Sequence, residues 1–106
     1  MIVKTPDPPY YTVVFTSVRT EIDEGYSEMN ESLWQDAQKL PGFIGAEAFR
    51  DEDRFGVAVL YFKDLETNHE WSEYQKHLRA KEMGKQKWYS DYRVRISEVE
   101  REYGME

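Results

Sequence analysis

An eight-residue run from Phe55 to Phe62 (FGVAVLYF) constrains this chain most, because every position in it is apolar. Such a run between polar segments predicts a β-strand that is buried on both faces, whereas a half-exposed strand should alternate apolar and polar residues. The earlier segment from Tyr10 to Thr20 also places apolar side chains on both sides. A sheet built from these strands therefore needs a cover on each face.

The predicted elements follow one another in the order βαββαβ. The predicted strands are Tyr10–Thr20, Phe43–Arg50, Phe55–Lys63 and about Tyr89–Arg101. Apolar residues spaced three and four apart predict a helix over Tyr26–Leu40, with Asp23 as its candidate cap. A second helical stretch starts near Asp64 or Thr67, and Gly84 marks a break toward its end. This order predicts an α+β, ferredoxin-like fold with a four-stranded antiparallel sheet and both helices on one face.

Two helices can cover only one face of this sheet. A second copy of the chain is the simplest cover for the other face, so we predict a homodimer with sheets packed face to face. The alternative is a second face that is merely somewhat apolar, as many protein surfaces are. Residues 1–9 contain three prolines and are predicted to form an extended N-terminal arm, which leaves residues 10–106 as a single domain.

The composition excludes several classes of function. With 14 basic and 21 acidic residues, the formal charge is −7, which disfavours non-specific nucleic-acid binding. The absence of cysteine excludes disulfides, thiolate catalysis and cysteine-based metal sites. No run of about 18 apolar residues is present, and the N-terminus lacks the apolar core of a signal peptide. We therefore expect a cytoplasmic protein with neither a nucleic-acid nor a membrane partner.

A family resemblance enters after the first helix. The segment Leu40–Glu47 (LPGFIGAE) is similar to the "PGF-x-G" passage of the antibiotic biosynthesis monooxygenase (ABM) domain family. Further motifs match in order and spacing: Val57–Phe62, Asp64–Glu66, Trp71, His77, Gly84, Trp88–Tyr89 and Val94–Arg101. The resemblance spans about Tyr11 to Tyr103, and the chain looks most like a small, largely uncharacterised ABM-like group. It implies a dimeric α+β barrel with a pocket in each protomer between sheet and helices.

The resemblance also implies a cofactor-independent monooxygenase that oxidises a small phenol, quinol or anthrone with molecular oxygen. Such a site needs an apolar slot for a planar ring, a few orienting polar groups and protection from water. The candidate substrate-pocket residues are Trp71, Trp34, Phe15 and Tyr61, although packing in the core would explain any one of them. The alternative function is a non-catalytic dimeric module that binds small molecules or takes part in a stress response, because the sequence shows no clear set of catalytic residues.

The candidate catalytic residues are His77 and Tyr74, which would orient or deprotonate the substrate. His77 lies where the resemblance marks the site, and imidazole serves as a base near neutral pH. His69, Glu73 and His77 share a helix face, but ligands spread over two turns cannot reach one ion, so no metal site is predicted. Haem-degrading relatives carry a first-strand Asn and a His ten residues after the tryptophan; this chain has no such Asn and has Lys81 there. Haem degradation, and any cofactor, is therefore not expected.

The direction of one strand carboxylate remains open at this point. Glu47 lies among apolar neighbours in the second predicted strand. If its side chain points inward, burial raises its pKa and makes it a candidate base. If it points to solvent or to a partner subunit, it is only a surface or interface charge.

Overall fold

A computed structural model of the chain has one four-stranded sheet. It describes residues 2–73 and 75–105, apart from the side chains at 72, 75–77, 79 and 86. The elements are β1 (Tyr10–Arg19), α1 (Tyr26–Ala37), β2 (Phe43–Arg50), β3 (Phe55–Phe62), α2 (Leu65–Glu73), α3 (Gln75–Met83), a π-helical turn (Gly84–Trp88) and β4 (Tyr89–Val99). All paired strands are antiparallel, in the order β2-β3-β1-β4. The predicted ferredoxin-like α+β fold is confirmed.

The starts of the helices differ in their caps. The prediction of Asp23 as the cap of α1 is wrong, because Gly25 occupies that position with φ 79° and no side-chain cap bond forms. Asp23 instead pairs with Arg19 at 2.9 Å. At α2, the Asp64 carboxylate accepts a hydrogen bond from the Thr67 amide at 2.7 Å, which satisfies one of the free amides of the first turn.

One face of the sheet packs against the helices and is called the helix face. The buried core there consists of Phe62, Ala37 of α1 and Trp71 of α2. Partly buried apolar side chains surround them: Val13, Leu33, Leu40, Phe43 and Leu60. Phe62 is 0% exposed, so this end of the helix face is closed to solvent. Among the described residues, no helix is long and apolar enough to cross a membrane.

The opposite, open face is partly covered by the chain's own N-terminal arm. The Val3 amide donates to the Glu47 carboxylate at 2.8 Å, and the Val3 side chain lies against Gly45 of β2. Beyond it, the Thr5 hydroxyl donates to the Glu102 carboxylate at 2.8 Å. The far end of the open face stays uncovered, and Phe49 is 75% exposed there. The structure thus supplies a cover for one end of this face that sequence reasoning had assigned to a partner.

Candidate functional site

An aromatic cluster lies on the helix face where the π-helical turn meets β4. The ring centroids of Phe15 and Tyr89 are 5.3 Å apart, and those of Phe15 and Tyr92 are 5.6 Å apart. Tyr26, at the start of α1, meets Tyr89 at 6.1 Å with the rings nearly perpendicular. These four residues, Phe15, Tyr26, Tyr89 and Tyr92, are called the aromatic site.

A β-bulge creates this arrangement. Val18 pairs with Asp91, but the next residue of β1, Arg19, pairs with Tyr89, so β4 has one extra residue at this point. Residues three apart in a regular strand point to opposite faces. The bulge shifts that alternation and brings Tyr89 and Tyr92 to the same face. Bulges and π-helical turns both recur at functional sites, which draws attention to this junction.

A buried cation fixes Tyr26. The Arg19 guanidinium carbon lies 3.4 Å from the centre of the Tyr26 ring. Its nitrogens donate to the carbonyls of Trp88 at 3.1 Å and Ile22 at 2.9 Å and to the Asp23 carboxylate. Because its donors are bound on several sides, Arg19 positions the aromatic site rather than offering a free charge to a ligand.

Tyr89 is half-buried, with its ring edge-on to that of Tyr26. Burial raises the pKa of Tyr89, and the neighbouring Tyr26 raises it further. The positive charges of Arg50 and Arg19 oppose this rise without cancelling it. Tyr89 therefore keeps its proton at neutral pH. The Tyr89 hydroxyl can donate a hydrogen bond to a ligand oxygen, but it is a poor base.

A depression in the protein surface adjoins the aromatic site. Its volume is about 260 Å³, and its lining comprises Lys85, Tyr89, Ser90, Asp91 and Tyr92. That volume lies below the range of ligand pockets, which begins at about 300 Å³, and the depression is open to solvent, so it can hold one ring of a planar ligand against the protein surface. Lys85 adds a positive charge at its edge.

A second cation, Arg50, lies at the same end of the helix face. It stands in a row across the four strands with Gly56, Ser17 and Tyr92, as the strand registers show. Its side chain reaches across β3 and donates from Nη2 to the Ser17 hydroxyl at 2.7 Å. The next row toward the core contains Ala48, Ala58, Phe15 and Val94. Small side chains on β2 and β3 leave this part of the helix face shallowly filled, and Ala48 is exposed.

The residues predicted to line the substrate pocket do not come together. Phe15 belongs to the aromatic site, while Trp71 is only 7% exposed and packs in the core. Trp34 is 39% exposed and meets the Phe43 ring edge-to-face at 5.7 Å. Ala58 pairs with Phe15, which lies on the helix face, and Tyr61 is three positions further along β3. Tyr61 therefore points to the open face.

The structure does not give the positions of the two predicted catalytic side chains relative to the aromatic site. Tyr74 lies outside the described residues. His77 belongs to α3, but its side chain is also outside the description. Within the part of the chain that is described, no three His, Cys, Asp or Glu side chains form a group that could hold a metal ion.

Glu47 lies on the open face, which answers the question the sequence left open. Its carboxylate accepts hydrogen bonds from the Tyr61 hydroxyl at 2.6 Å and from the Val3 amide. These bonds, that of Tyr61 first, hold the pKa of Glu47 below its usual value. The same contact raises the pKa of Tyr61 to about 12. Glu47 is thus an anchor for the N-terminal arm and has no raised pKa of the kind a general base would need.

Sequence reasoning missed Tyr26, Tyr89 and Arg50. Alternation along a regular strand places Tyr92, Val94 and Ile96 on one face and Tyr89 on the other. The bulge that brings Tyr89 to the same face as Tyr92 leaves no clear signal in the sequence. The resemblance to Trp88–Tyr89 of the family was the only indication that this segment mattered.

Comparison with known proteins identifies the family of this chain. It is 41% identical over 99 residues to the uncharacterized protein YqjZ of Bacillus subtilis (strain 168), a match that covers 93% of this chain and 87% of YqjZ. The chain belongs to the YqjZ family. No family model matches it.

Solved structures add information about the fold. SnoaB, a cofactor-independent oxygenase from Streptomyces nogalater, matches with a TM-score of 0.69 at 12% identity, over 83% of this chain and 90% of SnoaB. An antibiotic biosynthesis monooxygenase matches with a TM-score of 0.67 at 12% identity, over 84% of this chain and 97% of that protein. This member of the YqjZ family therefore has the ABM fold, as the sequence resemblance predicted. At such low identities the likeness concerns the fold alone.

Proposed function

We propose that this protein is a cofactor-independent monooxygenase that oxidises a small, electron-rich aromatic compound on the helix face. The observation that carries the proposal is the proton-bearing Tyr89, which packs against Phe15, Tyr26 and Tyr92 beside a depression in the protein surface. Flat apolar rings pack a planar substrate, and a proton-bearing hydroxyl orients its oxygen. The shared fold with SnoaB, a cofactor-independent oxygenase, supports the same reaction class.

An anthrone illustrates the chemistry. A base removes one proton from the ring CH₂ group, and the resulting carbanion gives an electron to O₂. The radical pair combines to form a C–O bond, and loss of the second hydrogen with cleavage of the O–O bond leaves a carbonyl. One oxygen atom of O₂ enters the product and the other leaves as water, so the balance is anthrone plus O₂ to anthraquinone plus H₂O.

Each group has a defined part in this proposal. The Tyr89 hydroxyl, which is protonated at neutral pH, donates to the substrate oxygen on which negative charge develops. The base is assigned to His77, with Tyr74 as its alternative, on the family resemblance. The roles of Trp71 and Trp34 as pocket walls rest on the family resemblance alone, because Trp71 packs in the core with Phe62.

Oxygen uptake tests the proposal. Purified protein treated with a chelator is mixed with 1,8-dihydroxyanthrone, and O₂ consumption is followed with an electrode against heat-treated protein. We expect saturable uptake and, with ¹⁸O₂, one labelled atom in the quinone. Protein that binds the anthrone, as judged by a rise in melting temperature, but never consumes O₂ would favour the non-catalytic binding module.

A matched pair of variants locates the reaction. Tyr89→Phe and Tyr61→Phe each remove one phenolic hydroxyl, but from opposite faces of the sheet. We expect Tyr89→Phe to lower kcat/KM by about 10-fold to 100-fold, as befits one hydrogen bond to a developing charge, and Tyr61→Phe to leave it unchanged. The analogous pair His77→Gln and His69→Gln tests the base. Equal rates in both members of each pair would contradict the assignments.

The same proposal includes a homodimer formed through the open face. Phe49 and Phe55 are exposed at the end of this face that the arm leaves free, and exposed apolar groups of this kind mark association surfaces. Light scattering should give twice the chain mass of 12.7 kDa. Phe49→Asp should reduce the measured mass to that of one chain, and an unchanged mass would place the interface elsewhere.

A further inference from the structure

We propose that Arg50 is an anion-recognition site that binds a carboxylate or phenolate attached to the aromatic ligand. This inference rests on the proposed function for the location of the ligand, and it adds the chemical class that the ligand must have. The ligand is an aromatic acid whose ring lies along the helix face and whose charged group meets Arg50.

The Arg50 guanidinium is held by neutral groups. Nη1 donates to the carbonyls of Ser17 at 3.2 Å and Arg54 at 2.6 Å, and Nη2 donates to the Ser17 hydroxyl at 2.7 Å. Ser17 is 2% exposed, so this anchor is firm. The ion pairs among the described residues are Arg19–Asp23 and Lys39–Asp36. No carboxylate in that part of the chain pairs with Arg50, and its charge remains available.

The unused donors of Arg50 form a fork. A guanidinium has five N–H groups, and the three hydrogen bonds above use both hydrogens of Nη1 and one of Nη2. The Nε hydrogen and the second hydrogen of Nη2 therefore have no acceptor among the described residues. These adjacent parallel donors match the two oxygens of a carboxylate. A phenolate oxygen is the simpler alternative within the same anionic chemistry.

The surface beside Arg50 suits a flat ring. Ala48, Ala58 and Phe15 form the next row of the helix face, about 7 Å away because a strand rises about 3.4 Å per residue. A carboxylate held at Arg50 thus places fused rings over two alanines and against the edge of the aromatic site.

The test measures binding without turnover. 1-Hydroxy-2-naphthoate is titrated into the full-length protein by calorimetry, and 1-hydroxy-2-naphthamide serves as its neutral counterpart of the same shape. We expect the carboxylate to bind at least tenfold more tightly than the amide. Arg50→Gln should remove this preference, whereas Arg101→Gln, an equal charge change at an exposed position after β4, should keep it.

A second measurement keeps the inference falsifiable if Arg50→Gln folds poorly. In the wild-type protein labelled with ¹⁵N, the naphthoate should shift the amide signals of Ser17, Gly56 and Ala58 more than those of open-face residues such as Val59. Retention of the carboxylate preference in folded Arg50→Gln would overturn the proposal. So would equal affinity for acid and amide, shifts confined to the open face, or no naphthoate binding at millimolar concentration. The oxygen assay fails or succeeds independently, so the two proposals can be separated.

Discussion

Arg50 lies so close to Gly56 that Gly56→Ala should destabilise the wild-type protein but stabilise a variant that lacks the arginine. A Cβ added at Gly56 would lie 2.6 Å from the guanidinium carbon and 2.9 Å from each Nη, and these are its three nearest atoms. Because separations below 3.0 Å are not tolerated, Gly56→Ala must displace the Arg50 side chain. The glycine therefore leaves room for the arginine side chain, and its backbone conformation does not call for glycine.

The magnitude follows from the bonds that the displacement breaks. Arg50 would lose its bond to the buried Ser17 hydroxyl and its two bonds to carbonyls. Hydrogen bonds to charged groups contribute about 1.5–3 kcal/mol each. Because the atoms that must move are the far end of a flexible side chain, which can form other bonds, we take the net loss as that of about one such bond, about 2–3 kcal/mol. Alanine restricts the unfolded chain and returns about 0.4–1 kcal/mol. Gly56→Ala should thus lower the free energy of unfolding by about 1–2 kcal/mol.

The same substitution should have the opposite effect without the arginine. In an Arg50→Ala background the closest atoms are gone, so Gly56→Ala should raise the free energy of unfolding by about 0.5 kcal/mol. The coupling energy is then about 2 kcal/mol, well above the error of urea denaturation. If Gly56→Ala destabilises both backgrounds equally, the guanidinium does not lie over Gly56, and the argument for a fixed anion site fails with it.

Three further outcomes are expected. Phe62→Ala, at the fully buried centre of the core, should cost about 3–5 kcal/mol in chemical denaturation, and a loss below about 1 kcal/mol would show that the site is not packed. The raised pKa of Tyr61 means that its bond to Glu47 stabilises the fold fully below about pH 10 and that this contribution is lost as pH rises through about 12. Ultraviolet absorbance should show a tyrosine ionising near that upper pH, and this change should be absent in Tyr61→Phe. If the change persists in the variant, it belongs to another tyrosine. The pKa of Glu47 is lowered in the folded protein. Its ionised carboxylate therefore contributes to stability above the pKa of the unfolded chain, and this contribution is lost as pH falls through the pKa of the folded protein. Glu47→Gln should make the free energy of unfolding fall less steeply at acid pH, and an unchanged slope would contradict this.

Local sequence signals predicted the elements of this protein well. The apolar run of β3 and the three-and-four spacing of α1 are properties of neighbouring residues, and the structure places both elements within a few residues of the predicted bounds. The cap of α1 was missed because Gly25 reaches a φ of 79°, a conformation that glycine adopts at little steric cost. Asp23 was then free to pair with Arg19.

The candidate site was predicted less completely, because it depends on contacts between distant segments. Aromatic character selected Phe15, which belongs to the aromatic site, and the same reasoning selected Tyr61, which lies on the opposite face. Aromatic character does not encode the face of a sheet when both faces are apolar. The Glu47–Tyr61 contact and the covering arm join residues from three separate parts of the chain.

The sequence by itself determined the order of strands and helices, and with it the antiparallel sheet, because hydrophobic periodicity acts over a few residues. Only the tertiary structure decided which side chains meet. The bulge opposite Val18 and Arg19 turned Tyr89 toward Phe15, and the strand registers set Arg50 across Gly56 and against Ser17. A shift of one residue in register reverses the face of every side chain that follows, so the functional surface is fixed by the pairing of strands rather than by any strand alone.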